Sequence, residues 1–234
     1  MSTDPDDQGH IRPIRDAATI VLIRDGHTDN PQVLMGMRGA AAAFMPSKYV
    51  FPGGAVDPND ASVALTPAVP ERERVLLLNR PVTAAPPTPE AMVAAAIREL
   101  WEESGQIIGA PGAWDGEVPE DWAGFAKAGL RPMGDALQFI FRAVTPPGRT
   151  RRFDARFFLA RCEQLATDPD DFSQACDELS HLHWIALSEA RTLDLPFVTE
   201  VVLAEAEAVL RAGHVDSVPF FDNSGDESTF RRIS

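Results

Sequence analysis

Apolar and polar positions change period several times along the chain, and each change marks an element. Residues 17–24 and 32–38 are nearly continuous apolar runs, separated by a turn carrying Asp25-Gly26 and Asn30-Pro31, so they predict two strands. Further runs at 136–144, 155–161 and 182–187 predict three more strands. Helical spacing appears at 71–78, around 120–127 and at 199–211, the last entered after Pro196 and stopped by Gly213. A helical turn is expected at 188–191, and a loop or turn at 40–43. The best-marked helix begins at Thr88-Pro89-Glu90, an N-cap, a first-turn proline and an acid at the positive end of the dipole. Val93, Ala96, Ile97 and Leu100 form its apolar stripe, and Ser104-Gly105 supplies a left-handed stop. Strands mixed with two longer helices imply an α/β protein whose sheet is covered on both faces.

The chain has 234 residues, 44% of them hydrophobic, enough for one good core. A single domain is expected over 13–221, between a loose acidic segment at 1–12 and a polar tail at 222–234. The stretch 57–88, rich in Pro and Ala at its ends, reads as an insertion. Its Val75-Leu76-Leu77-Leu78 argues that it packs on the body. A net charge of −14 excludes duplex nucleic acid and anionic membrane as partners, because the global field repels both. No stretch is apolar and long enough to span a bilayer, and two cysteines, Cys162 and Cys176, do not make a disulfide framework. Free thiols and a cytoplasmic location are the expectation.

The informative chemistry lies on the best-marked helix. Glu99, Glu102 and Glu103 stand at i, i+3 and i+4, within an arc of roughly 100°, so they project from one face. Like charges so placed repel unless something positive lies between them, and hard carboxylate oxygens suit Mg²⁺ or Mn²⁺.

The run from Glu90 through Arg98-Glu99-Leu100-Trp101-Glu102-Glu103-Ser104-Gly105 resembles the second half of the Nudix box, the signature of the Nudix hydrolases. Phe51-Pro52-Gly53-Gly54 resembles the glycine start of the same box. Residues 55–89 stand between the two halves, about thirty more than the family spacing. Gln106 occupies a position that is usually aliphatic. The resemblance implies a Nudix fold, an α/β/α sandwich with a mixed β-sheet. It further implies metal-dependent hydrolysis of a pyrophosphate bond in a nucleoside diphosphate linked to another moiety. Glu99, Glu102 and Glu103 would bind the metal, Glu103 foremost, with a carbonyl from Gly54. Arg98 would orient a carboxylate, and Glu90 is read as a helix-start residue.

The wording Phe44-Met45-Pro46 through Gly54, with the long insertion, resembles the coenzyme A diphosphatase-like branch that includes peroxisomal Nudix enzymes. Arg38, thirteen residues before Phe51, matches one arginine of a coenzyme A motif, while Ala43 and Ser47 stand where that motif has Arg and Gly. Arg38, Gly53 and Gly54 are therefore the substrate-binding candidates, and coenzyme A or an acyl derivative the favoured substrate. ADP-ribose, nucleotide sugars, dinucleotides and a non-catalytic ligand sensor remain alternatives, and a homodimer stays open. Glu163 and Glu178 are later candidates for a general base, with an ordinary strand-edge acid the simpler reading of Glu178. His181 and His183 alternate along a strand and should share a face. Arg149, Arg151, Arg152 and Arg156 read as a solvated hairpin tip that could meet phosphates, and Trp101 and Trp122 as packing residues.

Overall fold

The apolar run at 17–24 becomes an interior strand of the sheet. In the computed structural model, which describes residues 13–234 apart from positions 41, 43 and 226, this run is β1 (Ile14–Arg24). Residues 1–12 and Ala43 thus lie outside the described residues. Ala18, Ile20, Val21, Leu22 and Ile23 are all inaccessible, as a strand covered on both faces requires. The chain continues through β2 (Gln32–Arg38), β3 (Tyr49–Val50), β4 (Gly53–Ala55), α1 (Glu71–Leu78), α2 (Pro89–Ser104), β5 (Gly109–Pro111) and α3 (Ala123–Lys127). Then come β6 (Leu130–Pro132), β7 (Gln138–Val144), β8 (Arg152–Arg161), β9 (Leu179–Ala186), α4 (Leu187–Ala190), α5 (Phe197–Ala212), β10 (Val218–Asp222) and β11 (Thr229–Ile233).

Nine strands form one mixed sheet in the order β11-β10-β7-β8-β1-β2-β3, with β4 on β1 and β9 on β2. β1 runs parallel to β8 from Ile14↔Arg152 to Ile23↔Arg161, and β10 runs parallel to β7. The remaining pairings are antiparallel. Helices cover two faces. The Arg142 guanidinium lies 4.3 Å from the Phe220 ring, on the side where Arg142 Nη1 also holds the Asn79 and Arg80 carbonyls after α1. The next residue, Phe221, turns the other way and meets Phe197 of α5, ring centroids 6.5 Å apart. The architecture is an α/β/α sandwich.

The 57–88 stretch is part of the core. Val63, Leu65, Val69, Leu76 and Leu77 are buried. A bulge between Phe139 and Phe141 frees the Phe139 N–H, which donates to Glu73 Oε2 at 2.9 Å, and Arg74 pairs with Glu90 at the start of α2. The residues after Phe221, expected as a polar tail, contain a strand. β11 pairs with β10 from Val218↔Ile233 to Asp222↔Thr229, and Ile233 is buried. The arginines expected at one hairpin tip divide. Arg149 and Arg151 are exposed, whereas Arg152 is buried on the Thr145 and Asn223 carbonyls at 3.0 and 2.8 Å. Arg156 is buried beside Asp154 at 3.2 Å and pairs also with Asp16, while Arg142 grips Asp154 with two bonds of 2.6 and 2.8 Å. Partnered charges sit inside the sheet there, so no four-arginine patch exists.

Candidate active site

Two elements meet at the site. α2 is fixed at its start by Thr88, whose Oγ1 accepts the Ala91 N–H at 3.1 Å, and at its end by Gly105 at φ 73°. Its stripe of Val93, Ala96, Ile97 and Leu100 is buried, and it packs on β1 and β4. Packing of that stripe turns the adjoining flank of the helix, which carries Glu99 and Glu103, toward the glycines of β4. The glycine segment is a short strand pairing with β1 through Ala17↔Ala55 to Thr19↔Gly53.

Both glycines are needed for this approach. A Cβ on Gly53 would stand 2.6 Å from Thr19 Cα and 2.7 Å from the Ala18 carbonyl oxygen. A Cβ on Gly54 would stand 2.5 Å from Glu99 Oε2 and closer still to the rest of that carboxylate. The missing side chain at 54 is the space in which Glu99 lies.

Glu103 is only 1% exposed. Its Oε2 accepts the Gly53 N–H at 2.7 Å, while Oε1 is buried with no hydrogen-bond partner. Burial, then the nearby Glu99 charge, pushes its pKa well above the ordinary carboxylate range. Glu99 is pushed up to about 7, chiefly by burial and against the pull of Arg98, and Glu102 is raised for the same first reason. Between them sits Arg98, itself buried. Nη1 donates to Glu99 Oε1 and to Glu102 Oε2, each at 3.0 Å, and Nη2 donates to the Ala55 carbonyl at 3.0 Å. Burial works against the Arg98 charge, but Asp60 and the two glutamates outweigh it and hold the guanidinium protonated.

Residues that suit a divalent cation are present: three carboxylates, one with an orphaned buried oxygen, and a glycine cradle that a Cβ would fill. Among the described residues, however, no three His, Cys, Asp or Glu side chains form a ready-made cage. Arg98 holds two of the carboxylates and Gly53 the third, so each is fixed separately.

Arg38 stands beside the glycines. Nη1 pairs with Glu178 Oε1 at 3.0 Å, and Nη2 lies 3.4 Å from the Gly53 carbonyl oxygen. Glu178 is thus at the site's rim, whereas Glu163 belongs to the 3₁₀ turn Cys162–Gln164. His181 and His183 flank a bulge against Met35/Met37, with His181 at φ 53°, so the expected two-residue alternation is broken. Trp122 is buried, Trp101 meets Phe125 edge-on, and both cysteines are free thiols.

Two residues of the site escaped sequence reasoning. Asp60, in the 3₁₀ turn Pro58–Ser62, reaches Arg98 across 38 positions. The run Asp57-Pro58-Asn59-Asp60 resembles a capping box and signals a turn, but nothing local names its partner. Gln106 replaces an aliphatic residue with a clamp. Its amide donates to the Asp168 and Asp171 carbonyls at 3.1 and 2.9 Å and accepts from Thr167 Oγ1 at 2.7 Å.

An acidic helix laid against a glycine strand within a mixed α/β/α sandwich defines a Nudix-type protein. Comparison with known proteins agrees. A Nudix hydrolase crystal structure from Alicyclobacillus acidocaldarius superposes with a TM-score of 0.62 at 30% identity, covering 85% of this chain and 93% of the other. An acyl-coenzyme A diphosphatase NUDT19 from Gallus gallus is 30% identical over 210 residues, 68% of this chain and 55% of the relative. A nudix hydrolase 7 from Caenorhabditis elegans is 28% identical over 187 residues, 75% of this chain and 52% of the relative. The chain spans about half the length of these two curated relatives. No family model matches it. The chain belongs to the Nudix hydrolase family.

Proposed function

We propose that this protein hydrolyses the pyrophosphate bond of a nucleoside diphosphate derivative with the help of Mg²⁺ or Mn²⁺. The observation that carries the reading is Glu103, whose buried Oε1 has no partner while Oε2 is pinned by the Gly53 N–H. A bound divalent ion would activate water for attack and neutralise charge on the phosphoryl oxygens. Glu103, Glu99 and Glu102 would hold it. Gly53 orients Glu103, and Arg98 keeps Glu99 and Glu102 from repelling one another apart. Loading requires these carboxylates to lose protons that burial makes them keep, so binding strengthens as pH rises.

Coenzyme A or an acyl derivative is the favoured substrate. Support comes from the Gallus gallus relative named an acyl-coenzyme A diphosphatase and from Arg38 beside Gly53. With a net charge of −14 repelling any polyanion, the site must supply its own cations, and Arg38 is placed to offer one. The test is release of phosphorylated products from coenzyme A, acyl-coenzyme A, ADP-ribose, a nucleotide sugar and a dinucleotide, with and without Mg²⁺ or Mn²⁺. Glu103→Gln serves as control. Metal-dependent cleavage of the coenzyme A compounds, abolished in the variant, is expected. Absence of turnover on every compound, with ligand binding intact, would make the protein a sensor.

A further inference from the structure

Arg98 makes more bonds than any other side chain at the site, and its strongest partner comes from outside the box helix. Asp60 is 1% exposed. Its Oδ1 accepts Arg98 Nε at 2.9 Å and its Oδ2 accepts Nη2 at 3.1 Å, a two-point grip on a planar group. Oδ2 also accepts the Asp57 N–H at 2.8 Å, which ties the carboxylate to its own turn. Meanwhile Glu90, the first acid of the signature, faces Arg74 of the insertion.

We propose that Asp60, supplied by the insertion, is a positioning residue for this site: it locks the Arg98 guanidinium in the plane from which Nη1 bridges Glu99 and Glu102. Because the guanidinium is rigid, fixing Nε and Nη2 fixes Nη1 as well. The charge of Asp60 also offsets that of Arg98, so the guanidinium does not cancel the charge that the glutamates offer a cation. A fork without Asp60 would keep only the Ala55 carbonyl on Nη2, a single point about which Nη1 can turn toward the half-exposed Glu102 and away from Glu99. The inference rests on the reading of the three glutamates as a divalent-cation site.

The test is a Mn²⁺ titration followed by electron paramagnetic resonance of the free ion, with thermal melts alongside. Wild type, Asp60→Asn, Arg98→Lys and the double variant are compared below their melting temperatures. Asn keeps the shape and one acceptor, and Lys keeps the charge without the fork. A tenfold or greater rise in Mn²⁺ Kd is expected for each single variant, about the loss seen when groups that orient metal ligands are removed. The double variant should be no worse than the poorer single one by more than about threefold, since both act through one contact. Asp60→Asn that melts lower yet binds Mn²⁺ within about twofold of wild type would show a purely structural role and overturn the proposal. If Asp60→Asn fails to fold, Arg98→Lys decides by the same criterion. A wild-type protein that binds no Mn²⁺ would sink the cation site itself, an outcome distinct from a variant that matches wild type.

Discussion

Alanine at Gly54 and alanine at Gly53 should do opposite things, although the two positions are neighbours. At Gly54 the three atoms nearest the new Cβ all belong to the Glu99 carboxylate, with Oε2 at 2.5 Å where ordinary contact begins at 3.4 Å. They are the end of a side chain and not backbone, so the carboxylate retreats by about 1 Å and the strand stays in place. In the role proposed for Glu99, displacement by that distance costs on the order of 10²-fold in rate. At Gly53 the same methyl meets Thr19 Cα at 2.6 Å and the Ala18 carbonyl oxygen at 2.7 Å, and neither can move without parting β4 from β1. Overpacking of this kind costs about 1–3 kcal/mol. Weakening the Gly53 N–H bond to the Glu103 carboxylate adds about 1 kcal/mol or more. In a chain of this size the sum lowers Tm by roughly 5–15 °C. Differential scanning fluorimetry and metal-dependent cleavage of the best substrate measure both sides. Gly54→Ala should melt within about 2 °C of wild type and lose about 100-fold in kcat/KM. Retention of kcat/KM within threefold by Gly54→Ala, or a wild-type Tm for Gly53→Ala, would refute the steric argument.

The metal-free protein should lose stability as pH rises from the ordinary carboxylate range toward 7. The folded state holds the Glu99 proton up to about pH 7 while the unfolded chain has already released it. Thermal melts from pH 5 to 8.5 should show a smaller decline for Glu99→Gln than for wild type, and Mn²⁺ should restore the wild-type Tm most at the alkaline end. Equal declines in the two proteins would count against it. Gln106→Leu keeps the bulk but leaves the Asp168 and Asp171 carbonyls without their donor, at about 1–3 kcal/mol. Faster amide exchange across residues 167–171 is expected, and unchanged exchange would dismiss the clamp. Arg38→Ala should raise KM with kcat nearly unchanged, since Arg38 bonds Glu178 and the Gly53 carbonyl and not Glu99, Glu102 or Glu103. An unchanged KM removes it from the substrate side.

Much of this arrangement is legible wherever the cause is local. β2 and α1 begin and end where the sequence predicts them, and α2 starts and stops at its cap and its glycine. The three glutamates follow from helical spacing alone. Legibility ends where partners are distant. Nothing near Asp60 announces Arg98, and nothing near Arg156, expected at a solvated hairpin tip, announces Asp16 and Asp154. β11 was hidden for another reason. Phe230, Arg231 and Arg232 are exposed on an edge strand, and only Ile233 carries the burial that marks a strand. The bulge beside His181 likewise depends on its partner strand, so no reading of β9 by itself could have found it.

The paired charges inside the sheet carry one last consequence. Asp154 and the two arginines that hold it are sealed from dissolved ions, which can weaken only contacts they reach. Over the whole chain 35 acidic side chains outnumber 21 basic ones, and that excess of one sign pushes the surface apart. Brine should quiet that repulsion and leave the interior untouched, so potassium chloride makes this protein harder to melt.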